Sequence, residues 1–274
     1  MPTIGCLPYL NVKPLSYLLE REPLPEGWDL TYAPPARLAE MLRTGEICAA
    51  PVSSFACFEN PDLRIVPDIC IASRGRVTSV LVFSNRPVEE ISTIAVDSGS
   101  LSGAAMLRII LKERYDISPA FNMSDPDPDL MLRANDACLT LGNRAMQYDA
   151  KRSRGLRVLD LGEEWLDLTG LPAVFAVWAV TPDAPVQELI PMLVRSKDAG
   201  IEAVDEIALE ESLKLDLSYD VCRRYLSEVM VYDMGPDELQ SLNLFAQKAR
   251  LHGLISGVPD LVLAAPGKSI GGRV

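Results

Sequence analysis

Short apolar runs rich in β-branched residues alternate with longer stretches of helical period, and nothing else in the sequence narrows the fold as far. The first part reads as strand 3–9, helix 14–21, strand 29–33, helix 35–44, strand 47–51, a short helix 52–59 and strand 63–67. Such alternation is stable when helices cover both faces of a mostly parallel sheet, which predicts an α/β chain.

Two longer runs interrupt the pattern. RVTSVLVFSNRP at 76–87 and VFAVWAVTP at 174–182 each read as a long strand closed by a proline-containing break. Between them the alternation starts afresh, with strands 93–96, 119–123, 137–141 and 157–160 and helices 102–115, 127–134 and 143–149. A single core stops growing near about 250–300 residues, so a chain of 274 residues with a restarted pattern predicts two lobes. Residues 1–84 with 180–274 are assigned to lobe one, and 85–179 to an inserted lobe two. Two strands joining two lobes make a hinge, and a ligand cleft is expected between the lobes. Beyond Pro185 the helical stretches 185–211, 218–229 and 236–252 are expected to pack on lobe one, with the small-residue-rich tail from Gly253 partly mobile.

The residue inventory excludes several functions. His252 is the only histidine, so multi-histidine metal sites cannot form and a hydrolytic triad has one poorly placed base. The six cysteines, Cys6, Cys48, Cys57, Cys70, Cys138 and Cys222, include no CxxC pair and read as reduced core thiols. Thirty-eight acidic against 26 basic residues give a net charge of −12, which removes long-range attraction to nucleic acid or an anionic membrane surface. The opening MPTIGCLPYLNVKPL has no positive stretch and is broken by Pro8 and Pro14, so no signal peptide is read there and a cytoplasmic location is expected. No apolar run approaches the ~20 residues of a membrane span. The oligomeric state is left open.

An anionic ligand must then be held by local devices. DSGSLSGAAMLRIIL at 97–111 puts Ser98, Ser100, Ser102 and Gly103 at the start of a helix, where hydroxyls and amides form an anion cradle; ordinary capping by Ser102 accounts for the same residues. TLGNRAMQ at 140–147 repeats the device with Gly142 and Asn143. TGEICAAPVSS ends a strand in Ser53 and Ser54 at a helix start. Asn11 follows the first strand, where its amide can donate and accept toward a ligand or serve a turn. RGRVTSV brings Arg74, Arg76, Thr78 and Ser79 to the hinge strand, with Ser79 facing the cleft if Val80 faces the core. The basic run KRSRGLR at 151–157 reads as solvated loop, and DPDPD at 125–129 as a helix cap rather than a calcium loop.

Taken together, YLNVKPL (9–15), CAAPVSSF (48–55), IASRGRVTSVLVFS (71–84), AVDSGSLSGAAMLRIIL (95–111), LGNRAM (141–146) and LGEEWLDLTGLPAVFAVWA (161–179) resemble the chorismate dehydratase family of the futalosine route to menaquinone. Where that family carries Arg-Thr-Ser this chain has Leu101-Ser102-Gly103, and Asn143 stands where the family has an acid. The resemblance implies a type II periplasmic-binding-protein-like fold with a hinge and an interlobe cleft. It further implies conversion of chorismate to 3-[(1-carboxyvinyl)oxy]benzoate and water, without cofactor or metal. In that scheme Asn11 and Ser79 are catalytic, while Ser53, Ser54, Thr78, Ser100, Ser102, Gly103, Gly142 and Asn143 bind the substrate. A non-catalytic binding protein for a small carboxylate would share the fold, and only product formation separates the two.

Overall fold

Ten strands form two sheets in a computed structural model that describes residues 1–97, 99–151 and 155–265. The strands are β1 (Thr3–Cys6), β2 (Asp29–Tyr32), β3 (Ala49–Ser53), β4 (Arg64–Ser73), β5 (Val80–Ser84), β6 (Thr93–Val96), β7 (Ala120–Met123), β8 (Ala137–Leu141), β9 (Arg157–Asp160) and β10 (Ala173–Val180). The first sheet has the order β2-β1-β3-β10-β4 and the second β7-β6-β8-β5-β9. In each, four strands run in one direction and the returning strand pairs antiparallel to its neighbours, β10 with β3 and β4, β5 with β8 and β9. Strands such as β3, β5 and β8 are buried almost throughout, as a sheet covered on both faces requires.

Sheet membership redraws the expected lobe boundaries. β5 lies wholly in the second sheet and β10 wholly in the first, so the chain crosses between sheets at 74–79 and again through 161–172. Boundaries at 84 and 179 would need the two long runs to span both lobes, whereas each run is a central strand of one sheet.

Three elements differ from the sequence reading for identifiable reasons. β4 continues to Ser73 rather than ending at 67, because Asp68 takes a left-handed backbone (φ 62) and makes a bulge after which pairing with β10 resumes. A helix at Leu161–Thr169 is absent from the sequence reading. Asp160 caps it by accepting from the amides of Gly162 and Glu163, and Glu163 and Glu164 fill its first turn. The expected helix 185–211 is divided at Ala203 into Val186–Glu202 and Val204–Leu215. Asp127 caps the helix Pro128–Ala134, as read from DPDPD. The described cysteines carry free thiols, Cys48 half-buried and the rest buried. Ser98, residues 152–154 of the basic run and the tail from 266 lie outside the described residues.

The C-terminal helices brace both lobes instead of lobe one alone. Phe245, on the helix Pro236–Leu251, packs against Phe55 and Phe58 of the first lobe and against Trp165 of the crossing helix, with ring centroids 5.1–6.1 Å apart. From the same helix end, His252 bonds Glu113 of the second lobe at 2.8 Å and Lys248 pairs with that carboxylate. Gln147 of the second lobe donates to the Leu215 carbonyl at 2.5 Å.

The helix Val186–Glu202 is pressed onto the segment after the first strand. The Leu18 amide donates to Ser196 Oγ at 3.0 Å, and a Cβ at Gly200 would lie 2.0 Å from the Pro14 carbonyl oxygen. Backbone cannot yield to that overlap as a flexible side chain can. Gly200→Ala is expected to cost about 3 kcal/mol of stability, at the upper end of overpacking effects, read as a lower midpoint in urea unfolding.

Candidate active site

A narrow cleft between the sheets holds a cavity of about 110 Å³ and opens to solvent. Its wall is supplied by the ends of elements from both lobes. Leu7, Tyr9 and Asn11 follow β1, Val52 and Ser53 end β3, and Phe175 and Ala176 come from β10. Ser79 and Val80 open β5, Ser100, Ser102 and Gly103 start the helix Leu101–Tyr115, and Leu141 and Gly142 close β8. None of the described lining residues carries a charged side chain. His252 lies elsewhere, on Glu113.

Asn11 sits in a short 3-10 turn, Leu10–Val12. Its side-chain oxygen is buried and has no hydrogen-bond partner among the described residues. An unpaired buried acceptor costs about 1–3 kcal/mol, so a donor is missing from the protein at this point of the wall. Tyr9 beside it has its phenol pushed up by burial and by the charge of Asp97, against a smaller opposing effect of Arg144, and stays protonated.

Ser79 is held from several directions. Its carbonyl accepts the Gly142 amide at 2.7 Å, and its hydroxyl oxygen accepts from Tyr225 Oη at 2.8 Å. The preceding residue, Thr78, has φ 57, a strained conformation for a β-branched side chain. Asp160 fixes it: Oδ2 accepts the Thr78 amide at 2.8 Å, and Oδ1 accepts those of Val77 and Gly162 at 2.9 and 3.0 Å. Asp160 thus caps a helix and clamps the crossing segment at once.

The expected anion cradle is partly occupied by the protein itself. Asp97 Oδ1 accepts the Gly99 amide at 2.7 Å and the Ser100 hydroxyl at 3.2 Å. Residues 101–103 open the helix, where N–H groups have no intrahelical partner, and Ser102 and Gly103 line the cleft. Gly103 also lets the helix approach the sheet, since a Cβ there would meet Leu139 and Leu141 at 3.3 Å.

Several of the expected ligand residues are instead engaged in the fold. The Ser54 hydroxyl donates to the Val174 carbonyl at 2.8 Å, is fully buried and does not line the cleft. Thr78 does not line it either; its backbone, not its hydroxyl, matters for the site. The Gly142 amide is spent on Ser79, and Gly142 borders the cleft with φ 60. Asn143 Oδ1 accepts the Leu10 amide at 3.0 Å, which joins the lobes and leaves Asn143 outside the wall. Ser53 and Ser102 bond each other at 2.6 Å, and Ser102 also accepts the Phe55 amide at 3.2 Å. Arg74 pairs with Asp237, and Arg76 lies by Asp160 and Glu163 at 4.0 and 3.9 Å; neither reaches the cleft.

Asp160 and Tyr225 are absent from the residues expected to matter. Asp160 is legible as a cap before LGEE, but its hold on Val77 crosses 83 positions of sequence, and that of Tyr225 on Ser79 crosses 146.

Known proteins share this fold. The Escherichia coli periplasmic aliphatic sulphonate binding protein superposes with a TM-score of 0.64, covering 100% of this chain and 96% of that one at 18% identity. Protein AF1704 of Archaeoglobus fulgidus superposes with a TM-score of 0.75, covering 92% and 98% at 18% identity. At such identities the likeness establishes the fold, which is the periplasmic-binding-protein-like one expected. A Thermus thermophilus protein named chorismate dehydratase is 30% identical over 260 residues, 89% of this chain and 93% of that protein. The profile of one family, described as menaquinone biosynthesis, matches residues 2–251, and it is to this menaquinone biosynthesis family that the chain belongs.

Proposed function

We propose that the protein is a chorismate dehydratase, forming 3-[(1-carboxyvinyl)oxy]benzoate and water on the futalosine route to menaquinone, in the cytoplasm. The observation that carries this reading is that one cleft wall, with no charged side chain among its described residues, holds both a buried acceptor on Asn11 that has no partner among them and the hydroxyl of Ser79. An acceptor and a donor together complement a substrate hydroxyl, which donates one bond and accepts another.

Chorismate carries such a hydroxyl at C4, next to C3. The C3 proton is acidic because the C1–C2 double bond relays the carbanion's charge to the ring carboxylate. On its removal the C3–H electron pair becomes the C3–C4 π bond, the C4–O bond breaks with its pair, and the ring is aromatic. The leaving hydroxide takes a proton and departs as water. No carboxylate, histidine or lysine is among the described lining residues to act as base, so the substrate's own enolpyruvyl carboxylate accepts the C3 proton and passes it to the hydroxide. The protein's part is orientation and charge stabilisation. Asn11 accepts from the C4 hydroxyl, Ser79 donates to its oxygen, and the amides of residues 101–103 receive carboxylate.

The test is to incubate the purified, chelator-treated protein with chorismate and follow products by chromatography with mass detection. A product lighter by one water, absent from a heat-inactivated control, is the expected result. Persistence of chorismate overturns the reading and leaves a binding protein on the same fold.

A further inference from the structure

Tyr225 lies 146 residues from Ser79 in sequence, yet its hydroxyl donates to Ser79 Oγ at 2.8 Å, in a contact where both residues are at most 2% exposed. Tyr225 is not part of the cleft wall. It reaches Ser79 from behind, out of the C-terminal helical region that braces the lobes.

The local backbone is arranged for this reach. The helix Tyr219–Arg224 passes directly into a π turn, Tyr225–Val229, and the Met230 amide returns to the Tyr225 carbonyl at 3.1 Å. A π turn widens the helix by one residue and re-aims the side chains around it. The chain then pairs with the edge of β4, where the Ala72 and Val231 amides and carbonyls exchange bonds of 2.8–2.9 Å and the Cys70 amide donates to the Tyr232 carbonyl at 2.9 Å. Tyr225 is therefore anchored on both sides.

A serine hydroxyl has one proton and two lone pairs. At Ser79 one lone pair is taken by Tyr225, which leaves the serine proton for another acceptor. Burial raises the Tyr225 phenol, the charge of Asp160 adds to that rise, and the bond to Ser79 opposes it. With the phenol as donor, the proton left to Ser79 is available to the cleft that Ser79 lines.

We infer that Tyr225 is a positioning residue for the dehydration, fixing the Ser79 hydroxyl as a donor aimed at the departing C4 oxygen. The inference rests on the role given above to Ser79. Without the phenol, the Ser79 proton can turn to either side and the hydroxyl loses the polarisation that a chain of hydrogen bonds supplies.

Tyr225→Phe removes one oxygen and keeps the ring. Its expected effect is a fall in kcat of about 10–100-fold with KM within about twofold, the signature of an interaction made mainly in the transition state. Ser79→Ala is expected to lose more, and the double variant to be no slower than Ser79→Ala alone, because Tyr225 acts only through Ser79. Thermal melting of each variant checks the fold, and Tyr225→Leu, also lacking a donor, makes the same test if the phenylalanine variant does not fold. An inactive Ser79→Ala beside a fully active Tyr225→Phe overturns the role of Tyr225. Additive losses in the double variant also overturn it, as would a KM change without a kcat change. Full activity in Ser79→Ala overturns the underlying reading of the serine instead.

Discussion

Asn11→Ala is expected to lose turnover by about 10³-fold or more, some 4 kcal/mol of transition-state stabilisation, while the folded state becomes no less stable. The two halves of this expectation have one cause. The Asn11 side-chain oxygen is buried without a partner among the described residues, so the fold carries an unsatisfied acceptor whose removal relieves about 1 kcal/mol or more. A residue that weakens the fold and is needed for the reaction shows the opposition of stability and activity expected at functional sites. Turnover assays and urea unfolding on the same preparations check both halves. Normal turnover with raised stability would reduce Asn11 to a poorly satisfied turn residue. Asn11→Asp is expected to be as inactive, because it places a negative charge in a wall whose described residues carry no charged side chain, facing a substrate with two carboxylates.

A comparable loss, of stability as well as rate, is expected at the point where the chain crosses between sheets. Asp160 accepts the amides of Val77, Thr78, Gly162 and Glu163. Asp160→Asn keeps the shape but turns one acceptor into a donor facing backbone N–H groups. Leaving a buried amide unpaired costs about 1–3 kcal/mol, and losing a charged acceptor adds to it, so the expected destabilisation is about 3 kcal/mol. Thr78, at φ 57, then loses the bond that holds its strained backbone, and Ser79 moves with it. A lowered urea midpoint together with a fall in kcat at saturating chorismate is the expected outcome. An unchanged midpoint would mean that the clamp is dispensable. The neighbouring Gly162 shows how tightly this point is built, since a Cβ there would lie 2.3 Å from the Gly75 carbonyl oxygen and 3.0 Å from the Val77 nitrogen.

What can be read from sequence, and what cannot, follows the range of the forces involved. Strands and helices follow from local period, so Thr93–Val96, Ala137–Leu141 and Pro35–Thr44 lie where the pattern puts them. Local punctuation misleads at Pro67-Asp68, where a bulge looks the same as a strand end. Candidate residues at strand ends, Asn11, Ser53 and Ser79, do line the cleft, because the ends of strands are where a two-lobed α/β fold opens. Whether a donor is free is a different question. Ser54, Gly142 and Asn143 carry suitable groups at suitable positions, yet each is engaged by a residue far along the chain: Ser54 with Val174, Gly142 with Ser79, Asn143 with Leu10. Composition and spacing cannot report such pairings, and Tyr225 escapes a reading of the sequence for the same reason.

Bonds that join the lobes beside the cleft, Ser53 and the Phe55 amide to Ser102 and the Leu10 amide to Asn143, set the terms on which the cleft admits anything. All are hydrogen bonds between uncharged groups, each worth about 1 kcal/mol net. Parting them is therefore within reach of thermal fluctuation, whereas the sheets behind them are not. The braces from the C-terminal helices act on the second lobe at Glu113 and at Gln147. Passage of substrate inward and of product outward is then a latch problem, settled by these weak clasps, and a substitution that tightened them would slow release while sparing the chemistry.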